Sequence, residues 1–87
     1  MVSKLTKVTN EMGFHMRPAN VFVTAMTKYT SNINIIVGDK KINGKSIMNI
    51  MAACIKCGTE ITVECYGADE QAMLDEAIAL IESGFGE

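Results

Sequence analysis

With 87 residues, ten acidic and eight basic groups and a net charge of −2, the chain is too short for a second catalytic domain. At this size a fold buries only somewhat over about 60% of the surface its unfolded chain exposes, and the absence of aromatic-basic interleaving argues against nucleic acid. No apolar run approaches the roughly 20 residues of a membrane span, Met1 to Lys7 lacks the apolar segment of a secretion signal, and an odd count of three Cys argues for free thiols, so a cytoplasmic protein without membrane insertion is expected.

Hydrophobic residues make up 48% of the chain but aromatics only 6%, with no Trp and seven Met, which predicts a core of Ile, Val, Met and Ala. Methionine is soft packing or a contact surface. Residues 2 to 9, with Val2, Leu5 and Val8 among Lys and Thr, read as a first strand, and Asn10 to Gly13 as a turn. The stretch Gly13-Phe14-His15-Met16-Arg17-Pro18-Ala19 then collects the only His, the only Arg and the only Pro of the chain. Pro18 suits the first turn of a helix, and Ala19, Phe22, Val23 and Met26 supply an apolar stripe, so a helix is predicted from about Met16 to Lys28. Its β-branched Val21, Val23, Thr24 and Thr27 are mediocre helix formers, so its stability must come from packing on a sheet.

His15 therefore sits just before a helix N-terminus. Residues 14 to 17 offer no Ser, Thr, Asp or Asn as a cap, and no acid occurs between His15 and Thr27. The result is a bare anion site: unpaired N–H groups, the positive end of the macrodipole, and an Arg17 fork that matches phosphate oxygens. A neutral imidazole, with an ordinary pKa of about 6.5, is a nucleophile near pH 7 without a separate base. Alone, His15 reads as a capping or surface residue and Arg17 as a solvated charge; their shared position points to phosphoryl chemistry.

Thr30 to Asn32 breaks the chain, and Ile33, Ile35 and Val37 then alternate with Asn32, Asn34 and Ile36 as a half-buried strand. Gly38-Asp39 turns it into a short strand at Lys40 to Asn43. Ser46 is an N-cap before Ile47, Ile50, Met51 and Cys54, which fall at helical spacing, and Gly58 is expected to stop that helix. Ile61, Val63 and Cys65 alternate with Glu60, Thr62 and Glu64 in the clearest strand. Asp69 is expected to cap a last helix with Leu74, Ala77, Ile78 and Ile81 on its core face, Glu70, Asp75, Glu76 and Glu82 directed to solvent, and Gly84 at its end. The order β-α-β-β-α-β-α predicts one α+β domain over residues 1–87, an open-faced β-sandwich whose four-stranded antiparallel sheet carries three helices on one face.

The stretch Gly13 to Ala19 resembles the active-site signature of HPr, the histidine phosphocarrier family of the phosphoenolpyruvate-dependent sugar phosphotransferase system. Lys45-Ser46-Ile47-Met48 resembles that family's regulatory-serine signature, and the motif spacing, chain length and the Gly67-Ala68-Asp69-Glu70 lead into the last helix match too. The resemblance implies the same open-faced fold and a carrier rather than an enzyme, without metal or cofactor. It implies that His15 takes a phosphoryl group on Nδ1 from enzyme I and gives it to enzyme IIA domains, with Arg17 stabilising the phosphate. It further implies that a kinase of the HPr kinase/phosphorylase kind modifies Ser46, after which a transcriptional regulator binds. Ile47, Met48, Met51, Phe14 and Asn20 are expected to dock partners, and the protein to act as a monomer. Met12, Met16, Asn20 and Asn49 depart from the family's usual residues and bear on partner preference.

Charge is unevenly spread: residues 1 to 45 hold seven basic and two acidic groups, +5, and residues 46 to 87 hold one and eight, −7. The basic half contains His15 and Arg17, which suits an acidic partner surface or a phosphoryl donor. Two other readings compete with the carrier. A regulatory HPr-like protein that only binds would have no need of the His15 nucleophile. A thiol or metal module at Cys54-Ile55-Lys56-Cys57 would have its pair near a helix C-terminus, not at the N-terminus where the dipole lowers a thiol's pKa, and lacks a second pair for zinc. Cys65 reads as a small core residue.

Overall fold

Alternation with period two lets a strand bury one face, and Ile61, Val63 and Cys65 obey it. In the computed structural model, which describes residues 1–11 and 13–86, the elements run β1 (Val2–Lys7), α1 (Met16–Met26), β2 (Asn32–Val37), β3 (Lys40–Asn43), α2 (Ile47–Ala53), β4 (Glu60–Tyr66) and α3 (Glu70–Glu82). A short 3-10 turn follows at Gly84–Gly86. The four strands form one open antiparallel sheet in the order β1-β4-β2-β3. Ile42, Ile35 and Val63 stand opposite one another across it, and with Ile33, Ile61 and Cys65 they meet the buried faces of α1 and α3 in one core. The stripe Ala19, Phe22, Val23 and Met26 is buried as expected, as are Leu74, Ala77, Ile78 and Ile81, joined by Met73. The described residues contain no helix long and apolar enough to cross a membrane.

Several local expectations need correction. The first strand ends at Lys7, and Leu5 is 62% exposed: register places it opposite Thr62 on the open face, while Val2, Thr6 and the following Val8 face the core. On that open face Glu64 is nonetheless nearly buried, held by Lys41 (3.0 Å) and Asn34 (3.3 Å), and the Lys41 ammonium pulls its carboxyl below the ordinary range. Helix α1 stops at Met26, where Tyr29 N–H turns back to the Met26 carbonyl. Helix α2 ends without help from Gly58, because Cys54 itself adopts a left-handed conformation, φ 54°; this takes Cys54 off the apolar stripe and leaves it exposed.

Asp69 occupies the N-cap of α3 but does not cap it with its side chain. Its carboxylate accepts instead from Thr30 N–H (3.0 Å), Ser31 N–H (2.8 Å) and the Ser31 hydroxyl, so it fastens the α1–β2 turn to the start of α3. Gly67 makes this possible: a Cβ there would lie 2.5 Å from Ser31 Oγ. Glu70 reaches back to Gly67 N–H (3.2 Å) in the turn ahead of the helix, and Glu76, expected in solvent, accepts from Lys28 (3.0 Å) and the Tyr29 hydroxyl.

Candidate functional site

The loop before α1 is built on side chain-to-backbone bonds. Asn10, mostly buried, donates from Nδ2 to the Gly13 carbonyl (2.7 Å), while Gly13 N–H donates to the Asn10 carbonyl (3.0 Å). Gly13 has φ +68° and packs so closely on the segment after α2 that a Cβ would stand 2.5 Å from the Ile55 carbonyl oxygen. Phe14 N–H donates to that same oxygen at 2.9 Å. The turn at Asn10 to Gly13 is legible from sequence, but its clamp on Ile55 is not, since only the fold brings the two segments together. Met12 lies outside the described residues.

Phe14 is 2% exposed, its ring 4.7 Å from that of Phe85 and 5.4 Å from that of Phe22. Its expected role in partner docking is therefore corrected: the ring lies in the core and fixes the next residue. His15 follows as the N-cap of α1 with extended backbone, φ −95° and ψ −167°, and no side-chain bond to the helix. Its carbonyl accepts Ala19 N–H (2.9 Å), the first bond of the helix. The first turn holds no acid, and Pro18 is buried within it. Nε2 of His15 is sealed from solvent without a hydrogen-bond partner among the described residues. Met16 (62% exposed), Arg17 and Asn20 lie at the surface just beyond. An uncapped, acid-free helix start beside an imidazole is suited to hold an anion carried on the ring.

The second cluster lies at the head of α2, which packs against α1. Ser46 is the N-cap, and its Oγ accepts Asn49 N–H at 3.2 Å. Lys45 donates from Nζ to the Tyr29 carbonyl (2.8 Å), tying the serine loop to the end of α1. Met48 is 82% exposed, Ile47 and Met51 are half-buried, and Asn49 is exposed; Ile50 alone is fully buried. Cys54 and Cys57 are both exposed and free, whereas Cys65 lies in the core, where burial pushes its thiol up to about 11. The described residues contain no group of three His, Cys, Asp or Glu able to hold a metal ion.

The profile of the phosphotransferase-system HPr component phosphorylation site matches residues 2–83, spanning both clusters. The chain belongs to the HPr family. HPr of Mycoplasma capricolum is 44% identical over 79 residues, 82% of this chain and 89% of its own. The structure of an HPr from Thermoanaerobacter tengcongensis superposes with a TM-score of 0.96 at 37% identity, covering 100% of this chain and 98% of that one. The HPr-like protein Crh of Bacillus subtilis is 35% identical over 94% of this chain and 96% of its own length. A Crh crystal structure, described as a catabolite repression protein in an intertwined, swapped dimer, superposes with a TM-score of 0.78 at 34% identity over 97% of both chains. HPr proteins are phosphocarriers of the phosphotransferase system, not catalysts, and this chain has their fold from β1 to α3.

Proposed function

We propose that His15 accepts a phosphoryl group on Nδ1 from the phosphohistidine of enzyme I, itself charged by phosphoenolpyruvate, and passes it to sugar-specific enzyme IIA domains. The observation that carries this reading is the disposition of the ring: Nε2 is sealed in the fold, which leaves Nδ1 for an incoming phosphorus at an acid-free helix start. Attack requires the tautomer protonated on Nε2. The Nδ1 lone pair forms a bond to phosphorus as the bond to the enzyme I imidazole breaks in line, and onward transfer to enzyme IIA is the same displacement with His15 as leaving group. Backbone N–H groups at the head of α1 and the Arg17 guanidinium would offset charge on the equatorial oxygens, so neither metal nor cofactor is called for.

The same reading makes Ser46 a regulatory site for a kinase of the HPr kinase/phosphorylase kind, with a transcriptional regulator binding the phosphorylated form. Support comes from its neighbours: exposed Met48 and half-buried Ile47 and Met51 form an apolar patch for enzyme I, to which Asn20 on α1 is added. A phosphate adds a charge of about −1.5 to −2 beside that patch and spoils it. Ser46→Asp is expected to slow phosphorylation of His15 by enzyme I about tenfold, the equivalent of ~1.4 kcal/mol, with the circular dichroism of the helices unchanged. An unchanged rate would count against the patch.

The carrier acts as a cytoplasmic monomer in this reading. Similarity to Crh, described as a catabolite repression protein, favours a second, regulatory reading; a purely binding role leaves His15 without a use. Incubation with phosphoenolpyruvate and enzyme I, followed by addition of an enzyme IIA domain, separates the two: a carrier loads one phosphate and then loses it to the IIA domain. Phosphate that never appears, or that stays in place when an active IIA domain is added, contradicts the relay.

A further inference from the structure

The chain has three phenylalanines, and the fold gathers all of them beside His15. The Phe14 ring lies 5.4 Å from that of Phe22 and 4.7 Å from that of Phe85, and the last two are 6.4 Å apart. Phe22 belongs to α1, the helix that His15 caps, so this contact holds Phe14 to its own helix. Phe85 comes from the turn Gly84–Gly86 beyond α3, and it is 5% exposed. Gly84, one residue earlier, lies beside Asn10: a Cβ there would stand 3.5 Å from the Asn10 Cβ. Consecutive residues of one turn thus reach both anchors of the His15 loop, Asn10 through Gly84 and Phe14 through Phe85.

Phe85 does this in a backbone conformation that disfavours it. Its φ is 60° and its ψ 26°, the left-handed region in which a bulky side chain crowds the backbone. Gly84, at φ +71°, is left-handed without that penalty. Such outliers persist only where the surrounding structure over-determines them, and they gather at functional sites. The ring contacts that offset this one are with Phe14 and Phe22.

We propose that Phe85 is a positioning residue for His15: its ring wedges Phe14 in place and so fixes where the imidazole stands for an incoming phosphoryl group; the effect on transfer rests on the carrier reading above. His15 has no side-chain bond to α1, and its carbonyl makes the first helical bond, to Ala19 N–H. Its lateral position is therefore inherited from Phe14. Without the Phe85 ring, Phe14 loses its nearest aromatic neighbour, and the bond from Phe14 N–H to the Ile55 carbonyl (2.9 Å) must hold the residue with less support. Displacement in line tolerates little error: a misplacement of about 1 Å costs about a hundredfold in rate. A smaller loss, about tenfold, is expected here because Phe22 and Ile55 still hold Phe14.

The test compares Phe85→Ala and the milder Phe85→Leu with Val63→Ala, a core truncation in β4, at a temperature where all are folded. Two quantities are read: hydrogen exchange at the Phe14 amide, and steady-state phosphorylation by phosphoenolpyruvate and enzyme I with the carrier concentration varied. Phe85→Ala should exchange Phe14 about tenfold faster and load with kcat about tenfold lower, with KM within about twofold of the parent, because a buried ring touches no partner. Phe85→Leu should shift both in the same direction by about threefold, and it decides the matter alone if Phe85→Ala does not fold. Val63→Ala should lose stability but keep the parent's Phe14 exchange and kcat. Unchanged kcat in the Phe85 variants, a change confined to KM, or an equal loss in Val63→Ala overturns the positioning role. Parent protein that takes no phosphate defeats the carrier reading instead. Phe14 exchange then decides whether Phe85 holds the loop: faster in the Phe85 variants alone supports it, and no difference from Val63→Ala overturns it.

Discussion

Phe14 and His15 are neighbours in sequence with opposite roles, and the difference is one of burial. Phe14 spends its ring on Phe22 and Phe85 and its N–H on Ile55, which leaves His15 no freedom of register at the head of α1. Phe14→Ala is expected to cost about 3–5 kcal/mol, read as a lowered midpoint in denaturant unfolding with an unchanged slope. A cost below about 0.5 kcal/mol, the range of ordinary surface substitutions, would restore Phe14 to the partner surface. Its burial was hidden in the sequence because Phe85, the aromatic beside it, lies far along the chain beyond α3 and carries no periodic signal. Cys54 was misplaced for a related reason: helical spacing puts it on the stripe, but α2 ends in a left-handed residue one position too soon.

At the scale of elements, the tie between α1, β2 and α3 runs through ionised carboxylates and is therefore pH-dependent. The Ser31 hydroxyl, followed by Thr30 N–H, holds the Asp69 carboxyl down at about 2, against an ordinary value of 3.8. Glu70, bonded first by Gly67 N–H, and Glu76, bonded first by Lys28, are lowered too. A depressed carboxyl stabilises the fold above its unfolded pKa, and that contribution disappears as pH falls from about 4 towards about 2. Thermal melts across that range should therefore show Tm falling with acid, and Asp69→Asn should lower Tm at pH 7 while flattening the acid slope. Identical acid slopes in the two proteins would contradict the assignment.

The elements themselves were largely legible. Period two in β2 and β4, the i, i+3, i+4 stripes of α1 and α3, and the Gly38-Asp39 hairpin each specify their segment locally. What the sequence could not convey were choices made by distant partners. Leu5 faces outward because the register with β4 outweighs its hydrophobicity, and Asp69 abandons its own helix because Ser31 lies beside it. At the site, His15, Arg17 and the missing cap were readable from spacing; Asn10 and Ile55, which hold the loop, required the fold.

For the whole molecule, the division of charge between the basic first half and the acidic second half should act on association, not on chemistry. Loading of His15 by enzyme I is expected to slow several-fold as salt rises from about 0.05 to about 0.5 M, because screening shortens the reach of the Arg17-bearing half. A rate indifferent to salt would show that docking relies on the apolar patch alone. The central claim is that one histidine carries one phosphoryl group, and intact-mass spectrometry after incubation with phosphoenolpyruvate and enzyme I tests it most directly. A single acid-labile phosphate, absent from a His15→Ala protein that unfolds as cooperatively as the parent, is the predicted result. A folded protein that gains no phosphate from an active enzyme I, or one that still gains it after His15→Ala, would contradict the claim.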